Sequence, residues 1–474
     1  MAAVRLAACV VAGVLTALSI PPFGWWPLAF VGLAVLAHAT DGVERKRSRA
    51  AAGAAFGLGM FGPGLWWMND FHAVGGPLVM LLETAFLVGA VVLAPPSGRW
   101  RVVALPAALV LAEAARGVVP FGGLPMGGIP VGQVAGPLAP LARVGGELLI
   151  LAAVALVAMR KLVAVGVVAA LVVLAVVAPD GGDPTGHLDV ALVQGGGRRG
   201  FRAVDSDPKE VFDAHVAATA AVQPGVDLVV WPEDVVDVDR RITEAEAGTV
   251  LAAIADDLDT VLVAGVVEDV SGTRFANAAV AWGPDGALLD RYDKVHRVPF
   301  GEYVPGRSFL DRFVDLSVIP RDAIPGNGAG RIDTPVGRLG VVISFEVFFA
   351  DRARAAANAG GRLLLVPTNA SSFKTSQVPT TQVAAARLRA IETGRDVVQA
   401  APTGYGAVVD HHGRLRARTT LGRRQVHHET VALRDGRTLY ARVGNAPIVV
   451  LSGLAVALAW WRRRVDRAVS SGQP

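Results

Sequence analysis

The sequence has 474 residues, of which 52% are hydrophobic and 18% are charged, and its formal net charge is +4. Soluble domains are rarely so apolar, so this composition indicates membrane spans, and the Ala, Val, Gly and Arg bias does not indicate a nucleic-acid surface. The single cysteine, Cys9, lies inside the first apolar run, which excludes disulfides within the chain and any cysteine-based metal site.

Apolar runs separated by short polar breaks fill the first 180 residues. Each run is close to the ~20 residues that a helix needs to cross the hydrocarbon core of a membrane. We therefore predict seven transmembrane helices in residues 1–180 and an eighth within 446–474, the last followed by a basic tail. The predicted spans are 4–20, 27–41, 50–70, 76–95, 101–117, 141–158, 161–178 and 446–462. The first is not expected to be a cleaved signal, because it lacks a small-residue cleavage site.

The basic residues give the predicted orientation, because Lys and Arg concentrate on the cytoplasmic loops of membrane proteins. Counting spans, the strongly basic segments all fall on one side of the membrane; they are 43–49, 97–101, 159–161 and 461–467. The alternate connections, 21–27 and 118–140, carry almost no Lys or Arg. We therefore predict a multi-pass protein of the cell membrane with both termini in the cytoplasm and the section between the seventh and eighth spans outside.

Residues 187–440 form this predicted extracytoplasmic domain, and their pattern is α/β. Short Val- and Leu-rich runs bounded by turn residues predict strands at 188–194, 226–233, 260–268, 338–344, 362–369 and within 396–414. An Asp-Gly pair at 285–286 predicts the tip of a hairpin over 277–294. Residues 380–394 predict a helix that ends at its last residue, a glycine.

Three of these strand ends carry a reactive group: Glu233, Lys294 and Ser344. This set suits acyl transfer, because the carboxylate can take the proton of the nucleophile while the ammonium stabilises the oxyanion of the tetrahedral intermediate. The backbone N–H of Phe345 is placed to be a second oxyanion donor. Taken singly, each side chain has a simpler explanation: a solvated loop carboxylate, a surface ammonium and the N-cap of a helix.

Four motifs favour a joint catalytic site over the three separate structural explanations. They are "WPE" (231–233), "YDKVHRVPFGEYVPGR" (292–307), "GVVISFEVFF" (340–349) and "NASSF" (369–373). Together they resemble the carbon–nitrogen hydrolase (nitrilase) superfamily, whose fold is an αββα sandwich with a Glu–Lys–Cys triad. An eight-span frame around such a domain resembles the apolipoprotein N-acyltransferase family. The resemblance extends over almost the whole chain and implies an eight-helix transmembrane bundle plus an extracytoplasmic nitrilase-like α/β sandwich.

Matched position by position, the resemblance implies that Glu233 is the general base, that Lys294 stabilises the oxyanion and that Ser344 holds the nucleophile position. The supporting residues that it implies are Glu302, a second carboxylate beside the lysine, Phe345, where the family often has Tyr, and Glu346, a carboxylate close behind the nucleophile. It implies no metal and no organic cofactor.

Ser344 departs from the family, which normally has cysteine at this position. A hydroxyl is far harder to ionise than a thiol of pKa ~8.5, so its proton must leave to Glu233 during the attack. An oxygen ester would then replace the thioester intermediate, and an ester is less reactive towards an amine. A working serine enzyme and a catalytically weak or inactive homologue therefore both stay open at this point.

The function that the resemblance implies is transfer of an acyl chain from a phospholipid to the α-amino group of the S-diacylglyceryl-cysteine that begins an apolipoprotein. The expected partners are phospholipid, diacylglyceryl apolipoproteins and the membrane, with no nucleic acid. One alternative is a membrane-tethered amidase that transfers to water, but a soluble substrate needs no eight-span frame. Another is a homologue that only binds lipoproteins, although Glu233, Lys294 and Glu302 are all retained.

Two histidine pairs and a glycine-rich segment could suggest other sites. His411–His412 and His427–His428 lie beside turn residues without a converging ligand spacing, so we expect solvated loops and no metal site. The segment "GGGRRG" (195–200) lacks the Gly-Lys-Ser/Thr ending of a phosphate-binding loop, which favours a turn after the first strand.

Two features of the apolar region complete the expectations. Glu113 and Arg116 are three residues apart, which predicts an ion pair on one face of a helix. The segment "GGLPMGG" (122–128) lacks the aromatic residue that the family tends to have after the proline, which predicts an altered acyl-donor preference.

Overall fold

The computed structural model describes residues 2–70, 75–200, 206–313, 315–316 and 319–470, so the end of the predicted tail, 471–474, lies outside the described residues. The chain divides into two compact units. The first comprises Met1–Ala178 and Arg442–Pro474, and the second comprises Pro179–Ala441. The predicted limits of the middle domain, 187 and 440, both fall inside the second unit.

The first unit is helical, and in the described residues a helix lies at each of the eight predicted apolar segments. Its helices before the second unit are α1 (Ala2–Leu18), α2 (Leu28–Thr40), α3 (Lys46–Gly64), α4 (Gly75–Leu93), α5 (Arg101–Arg116), a short α6 (Ile129–Gly132), α7 (Ala142–Ala158) and α8 (Leu162–Val177). The eighth segment is the helix Ala446–Ser470, which follows the second unit in the chain.

Among the described residues, three helical segments are long and apolar enough to cross a membrane: Gly75–Leu93, Ala139–Ala158 and Ala446–Ala468. The helices Ala2–Leu18, Leu28–Thr40 and Leu162–Val177 are apolar but shorter. The predicted span 50–70 ends earlier than expected, because Pro63 and Gly64 close α3 and a 3₁₀ turn, Trp66–Asp70, follows.

A buried arginine joins two helices of the first unit. Arg116, which is 1% exposed, pairs through Nε with Glu83 Oε2 of α4 at 2.5 Å and through Nη1 with Glu113 Oε2 at 2.8 Å. The same guanidinium also donates to the carbonyl of Met126, in the loop that follows α5. The Glu113–Arg116 pair predicted from the sequence is therefore present, and Glu83 is an additional partner 33 residues away in the chain.

Replacing Arg116 with methionine is expected to destabilise the first unit by about 3–5 kcal/mol, because Glu83 would keep its burial and lose its charge partner. Thermal unfolding of the detergent-solubilised protein measures the change. The matched control is Arg467→Met, which removes an exposed pair with Glu44 at 3.2 Å, and we expect a change below about 1 kcal/mol there. Equal effects of the two substitutions would contradict a special role for the buried arginine.

The second unit contains two sheets. The first has the strand order β14-β1-β2-β4-β5-β6, with β3 beside β4 and β7 beside β5, and the second has the order β13-β12-β11-β10-β9-β8. The strands are β1 (Gly186–Gln194), β2 (Leu228–Val230), β3 (Val236–Val238), β4 (Val261–Ser271), β5 (Arg274–Trp282), β6 (Leu288–Asp293), β7 (Asp322–Ala323), β8 (Arg331–Thr334), β9 (Gly337–Val341), β10 (Leu363–Pro367), β11 (Val397–Ala400), β12 (Ala407–Val409), β13 (Leu415–Arg418) and β14 (Gln425–Leu433). The helices are α9 (Pro208–Thr219), α10 (Glu246–Asp257), α11 (Arg307–Leu310), α12 (Ala350–Asn358), α13 (Gln377–Thr393) and α14 (Leu439–Val443), and Ala446–Ser470 is α15.

Alternating side chains of the strands build two apolar layers. Leu188, Val190 and Leu192 of β1 face the second sheet and pack in one core with its buried residues, among them Leu339 and Leu365. Residues on the other face of the first sheet pack in a second core with α9 and α10. Helices α12 and α13 contact the second sheet, so the layers are helix, sheet, sheet and helix. This arrangement is the predicted α/β sandwich.

The predicted strands and the hairpin are present with small shifts at their ends, and α13 ends at Gly394, whose φ of +67° suits a glycine. The pattern missed β14, which pairs antiparallel with β1 along its whole length. Residues Gln425–Leu433 of β14 are polar in their first half, which hid their strand character.

Candidate active site

Glu233, Lys294 and Glu302 meet in the interior of the second unit. The Lys294 Nζ donates to Glu233 Oε1 at 2.7 Å and to Glu302 Oε1 as well. Asn277 of β5 donates through Nδ2 to Glu233 Oε1 at 3.0 Å and to Glu302 Oε1 at 3.4 Å. Lys294 and Glu233 are 1% and 2% exposed, so this is a buried charge cluster and the solvated alternatives do not hold.

The backbone around the cluster fixes these side chains. Lys294 directly follows β6, and its N–H donates to the carbonyl of Asn277 at 2.8 Å. Glu233 lies beyond β2, where β4 approaches so closely that a Cβ at Gly265 would be 2.5 Å from the Glu233 Cα. The Glu302 Oε2 accepts from the N–H of Val298 at 2.9 Å. Backbone contacts therefore hold Glu233, Lys294 and Glu302 in place before any substrate arrives.

The charge balance keeps the lysine protonated. Burial opposes the ammonium, but attraction by Glu233, Glu302 and Asp234 outweighs burial and raises the pKa of Lys294 above its ordinary value. Burial, together with repulsion from Glu233, raises the pKa of Asp234 and of Glu302. Three carboxyl groups thus share one ammonium. Two of the three N–H groups of Lys294 have acceptors among the described residues, which leaves the third for an oxyanion.

Ser344 is the first residue of the 3₁₀ turn Ser344–Phe348, which follows β9. Its φ of +50° is unusual for a residue other than glycine. Its hydroxyl accepts a hydrogen bond from Thr368 Oγ1 at 3.2 Å, and Thr368 in turn accepts from Gln382 Nε2 at 2.6 Å. This hydrogen-bond chain ties the Ser344 oxygen to β10 and α13 of the same unit.

The N–H of Phe345 has no acceptor among the hydrogen bonds of the described residues. The ring of Phe345 packs edge-on against Phe348 and Phe349, with centroids 6.3 and 5.0 Å away. These contacts keep the turn in place and leave the N–H free to act as a second oxyanion donor.

Glu346 ties the two reactive strand ends together. Its carboxylate, which is 0% exposed, accepts from the N–H of Ile343 at 2.8 Å, one residue before Ser344. It also accepts from the N–H groups of Val295 at 2.8 Å and His296 at 3.0 Å, directly after Lys294. Glu346 therefore links the backbone just before Ser344 to the backbone just after Lys294.

The direct contacts separate the site into two groups. Lys294 contacts both Glu233 and Glu302, whereas the Ser344 hydroxyl has no hydrogen bond to Glu233 or Lys294 among the described residues. Glu346 connects the two groups only through the backbone, at Ile343 on one side and at Val295 and His296 on the other. The sequence reasoning missed four supporting side chains: Asn277, Asp234, Thr368 and Gln382. Asn277 and Thr368 could have been noticed as polar residues at the ends of apolar runs.

The remaining sequence features have mixed outcomes. The segment 195–200 is an irregular loop after β1 and not a compact turn, and the N–H of Gly196 donates to the carbonyl of Pro402 at 2.9 Å. His427 and His428 lie on strand β14 and not in a loop. His411 and His412 lie in a loop, the turn between β12 and β13, as predicted, and the turn also brings both side chains within reach of Asp180, which their spacing did not indicate.

Both units of the chain are similar to known protein families. Residues 12–160 match the family model of the apolipoprotein N-acyltransferase N-terminal domain, and residues 189–439 match that of the carbon-nitrogen hydrolases. The apolipoprotein N-acyltransferase of Mycolicibacterium smegmatis is 31% identical over 96% of this chain and 84% of the relative. That of Rhodopseudomonas palustris is 30% identical over 97% of this chain and 95% of the relative. The chain belongs to the apolipoprotein N-acyltransferase family.

Membership in this family confirms the resemblance found in the motifs and the nitrilase-like fold of the second unit. Among solved structures, Saccharomyces cerevisiae Nit3, a member of branch 10 of the nitrilase superfamily, is similar with a TM-score of 0.41 and 22% identity. That similarity covers 52% of this chain and 91% of the Nit3 chain.

Replacing Glu346 with glutamine is expected to lower the free energy of unfolding by at least about 3 kcal/mol. Both carboxylate oxygens accept from backbone N–H groups, and the NH₂ group of glutamine cannot accept a hydrogen bond at either position. The substitution should also abolish activity by separating the strand ends. Thermal unfolding in detergent measures the first effect. Glu244→Gln, on an exposed turn, is the control and should change little. A variant as stable as the parent would remove Glu346 from its positioning role.

Replacing Asp234 with asparagine is expected to stabilise the protein at high pH. The raised pKa of Asp234 means that the folded protein holds a proton that the unfolded chain releases above ~3.9, so stability falls as pH rises from there through the folded-state pKa. The melting temperature of the variant should therefore exceed that of the parent by a margin that grows between pH 5 and pH 8.

Asp239→Asn is the control for this pH dependence. Hydrogen bonding to Arg240 lowers the pKa of Asp239, so the contribution of Asp239 to stability increases with pH and does not decrease. It should give no gain at pH 8. A margin for Asp234→Asn that shrinks with rising pH would show that Asp234 is ionised in the folded protein.

Proposed function

We propose that this protein transfers an acyl chain from a phospholipid to the α-amino group of the S-diacylglyceryl-cysteine at the N-terminus of apolipoproteins. The observation that carries the proposal is the buried Glu233–Lys294–Glu302 cluster, in the same unit as a Ser344 held at positive φ, inside a domain joined to the helical region of an N-acyltransferase family. The site residues and their roles are part of this proposal.

The first half-reaction forms an acyl-enzyme. Ser344 Oγ attacks the ester carbonyl carbon of the phospholipid while its proton passes to Glu233. The oxyanion of the tetrahedral intermediate is stabilised by the third N–H of Lys294 and the N–H of Phe345. The intermediate collapses, the C–O bond to the glycerol oxygen breaks, and Glu233 returns the proton to the departing lysophospholipid.

The second half-reaction makes the amide. The α-amine of the diacylglyceryl-cysteine attacks the carbonyl carbon of the Ser344 ester, and the same two donors stabilise the new oxyanion. Glu233 takes a proton from the attacking nitrogen and delivers it to Ser344 Oγ as the ester bond breaks. The donor leaves before the acceptor enters, so the kinetics are ping-pong.

Serine in place of cysteine makes both steps depend more heavily on the base. The Thr368 hydroxyl points its proton at Ser344 Oγ, which stabilises negative charge on that oxygen in both half-reactions. Gln382 holds Thr368 in this orientation. This hydrogen-bond chain supports a working serine nucleophile over an inactive homologue.

The two lipid substrates explain why such a domain belongs to a membrane protein. We infer that the eight helices at the predicted spans form a transmembrane bundle in the cell membrane, with both termini cytoplasmic and the second unit extracytoplasmic. The support is the basic composition of 43–49, 97–101, 159–161 and 461–467. Phospholipid and diacylglyceryl apolipoprotein would then reach the site from the outer leaflet.

The test is the intact mass of the purified protein after incubation with phospholipid, followed by a synthetic diacylglyceryl lipopeptide. The parent should gain the mass of one acyl chain and lose it to the lipopeptide. Ser344→Ala should form no adduct and should lower turnover by at least about 10³-fold, since the nucleophile is missing.

Ser344→Cys is the matched variant, because it keeps the position and changes only the nucleophilic atom. It should form a thioester and react with the lipopeptide faster than the parent. If the parent forms no adduct while Ser344→Cys does, the natural protein is a weak or inactive homologue. If the adduct discharges to water instead of the lipopeptide amine, the amidase alternative is correct.

A further inference from the structure

Three side chains that the acyl-transfer chemistry does not use converge at one point of the second unit. Asp180 follows α8 by a few residues, and His411 and His412 lie in the turn between β12 and β13. The Asp180 Oδ2 is 3.6 Å from His411 Nε2 and 3.9 Å from His412 Nε2. One ligand atom from each of the three residues lies within 4.8 Å of the other two. These side chains come from segments more than 200 residues apart in the chain.

A buried carboxylate stands behind one of these histidines. Asp396, which is 2% exposed, has its Oδ1 at 3.7 Å from His411 Nδ1, on the far side of the ring from Asp180. Asp396 is itself held by the N–H groups of His411 at 2.9 Å and Ala432 at 3.0 Å. A histidine that binds a metal through one nitrogen usually turns its other nitrogen to a carboxylate, which orients the ring and increases its basicity.

The turn that carries the histidines is also preformed. The Asp410 Oδ1 accepts from the N–H groups of His412 and Arg414, both at 2.9 Å, and Gly413 takes the positive φ of +77° that closes the turn. The two imidazole rings pack against each other, with centroids 3.8 Å apart and planes tilted by 39°. Their relative position therefore follows from the backbone, before any ligand binds.

We propose that Asp180, His411 and His412 bind a divalent transition-metal ion of the zinc class, through Asp180 Oδ2 and the Nε2 atoms of both histidines. Two imidazoles and a carboxylate are ligands that zinc accepts, and a fourth position stays open for water. Ligand atoms around tetrahedral zinc are separated by roughly 3.4 Å when each bond is about 2.0–2.1 Å. The observed separations of 3.6 and 3.9 Å need only a small contraction.

The charge and the position agree with a structural role for this ion. The donor set combines two carboxyl groups, Asp180 and Asp396, with two imidazoles, and such a set suits a divalent cation. The site would connect the start of the second unit to the β12–β13 turn. Strands β9, β10 and β11 are parallel, and Asp396 precedes β11 whereas Ser344 follows β9, so the two sites lie at opposite ends of the second sheet. The ion is therefore expected to stabilise the fold of the second unit without taking part in acyl transfer.

The test uses the full-length protein, free of any histidine tag, in detergent and after treatment with a chelator. Titration with zinc chloride in a calorimeter, and zinc analysis after gel filtration, should give one ion per chain. Zinc should also raise the melting temperature of the parent. Asp180→Asn and His412→Gln should each weaken zinc binding by more than about tenfold and abolish the rise in melting temperature.

The second histidine pair provides the control. His427 and His428 are neighbours on β14, where successive side chains point to opposite faces of the sheet and cannot share an ion. The double variant His427→Gln with His428→Gln should bind zinc like the parent. A metal-free melting temperature close to that of the parent shows that a variant is folded. If His412→Gln does not fold, Asp180→Asn alone tests the site.

Two results would overturn the proposal. One is a parent protein that binds no more zinc than Asp180→Asn. The other is equal loss of zinc in the His427/His428 control, which would indicate weak binding by surface histidines in general. In either case Asp180 and the two histidines form an ion-paired turn and not a metal site.

Discussion

The site depends on one buried carboxylate that joins two sheets. β6 ends at the lysine and β9 leads to the serine, and these strands belong to different sheets. Glu346 accepts from the backbone on both sides, at Ile343 and at Val295, so a single side chain ties the turn that carries Ser344 to the backbone beside Lys294. Tyr292 and Arg352 complete its hydrogen bonds and balance its charge. Without such a link, the distance between the two groups would follow the relative motion of two sheets.

The sequence predicted the parts of this site that are short-range in the chain. The strands were recognisable because buried strands are continuous apolar runs, and Glu233 and Lys294 stand where those runs end. What it could not predict are contacts between distant segments. Thr368 reaches Ser344 only because β10 lies beside β9, and Glu83 reaches Arg116 only because α4 packs on α5. Strand β14 was hidden because half of its residues face polar surroundings.

The two histidine pairs also show what cannot be predicted from the sequence. As sequences they are equivalent, since each is His-His beside turn residues. On a strand, as at His427–His428, the side-chain period of two separates the rings to opposite faces. In the turn at His411–His412 the backbone reverses and the rings pack against each other. Whether two adjacent histidines can share a ligand is thus decided by backbone conformation, which composition and spacing do not contain.

The buried charges of the site oppose stability and serve the chemistry. An ammonium among three carboxyl groups loses hydration that apolar side chains would not lose, and replacing such clusters by hydrophobic residues is often stabilising. In the proposed mechanism the cluster is useful because an oxyanion forming beside Lys294 would meet a donor that needs no reorganisation. In the proposed mechanism a serine nucleophile makes this more important. Since an alkoxide forms less readily than a thiolate, more of the barrier would have to be lowered by Glu233, Lys294 and the contact with Thr368.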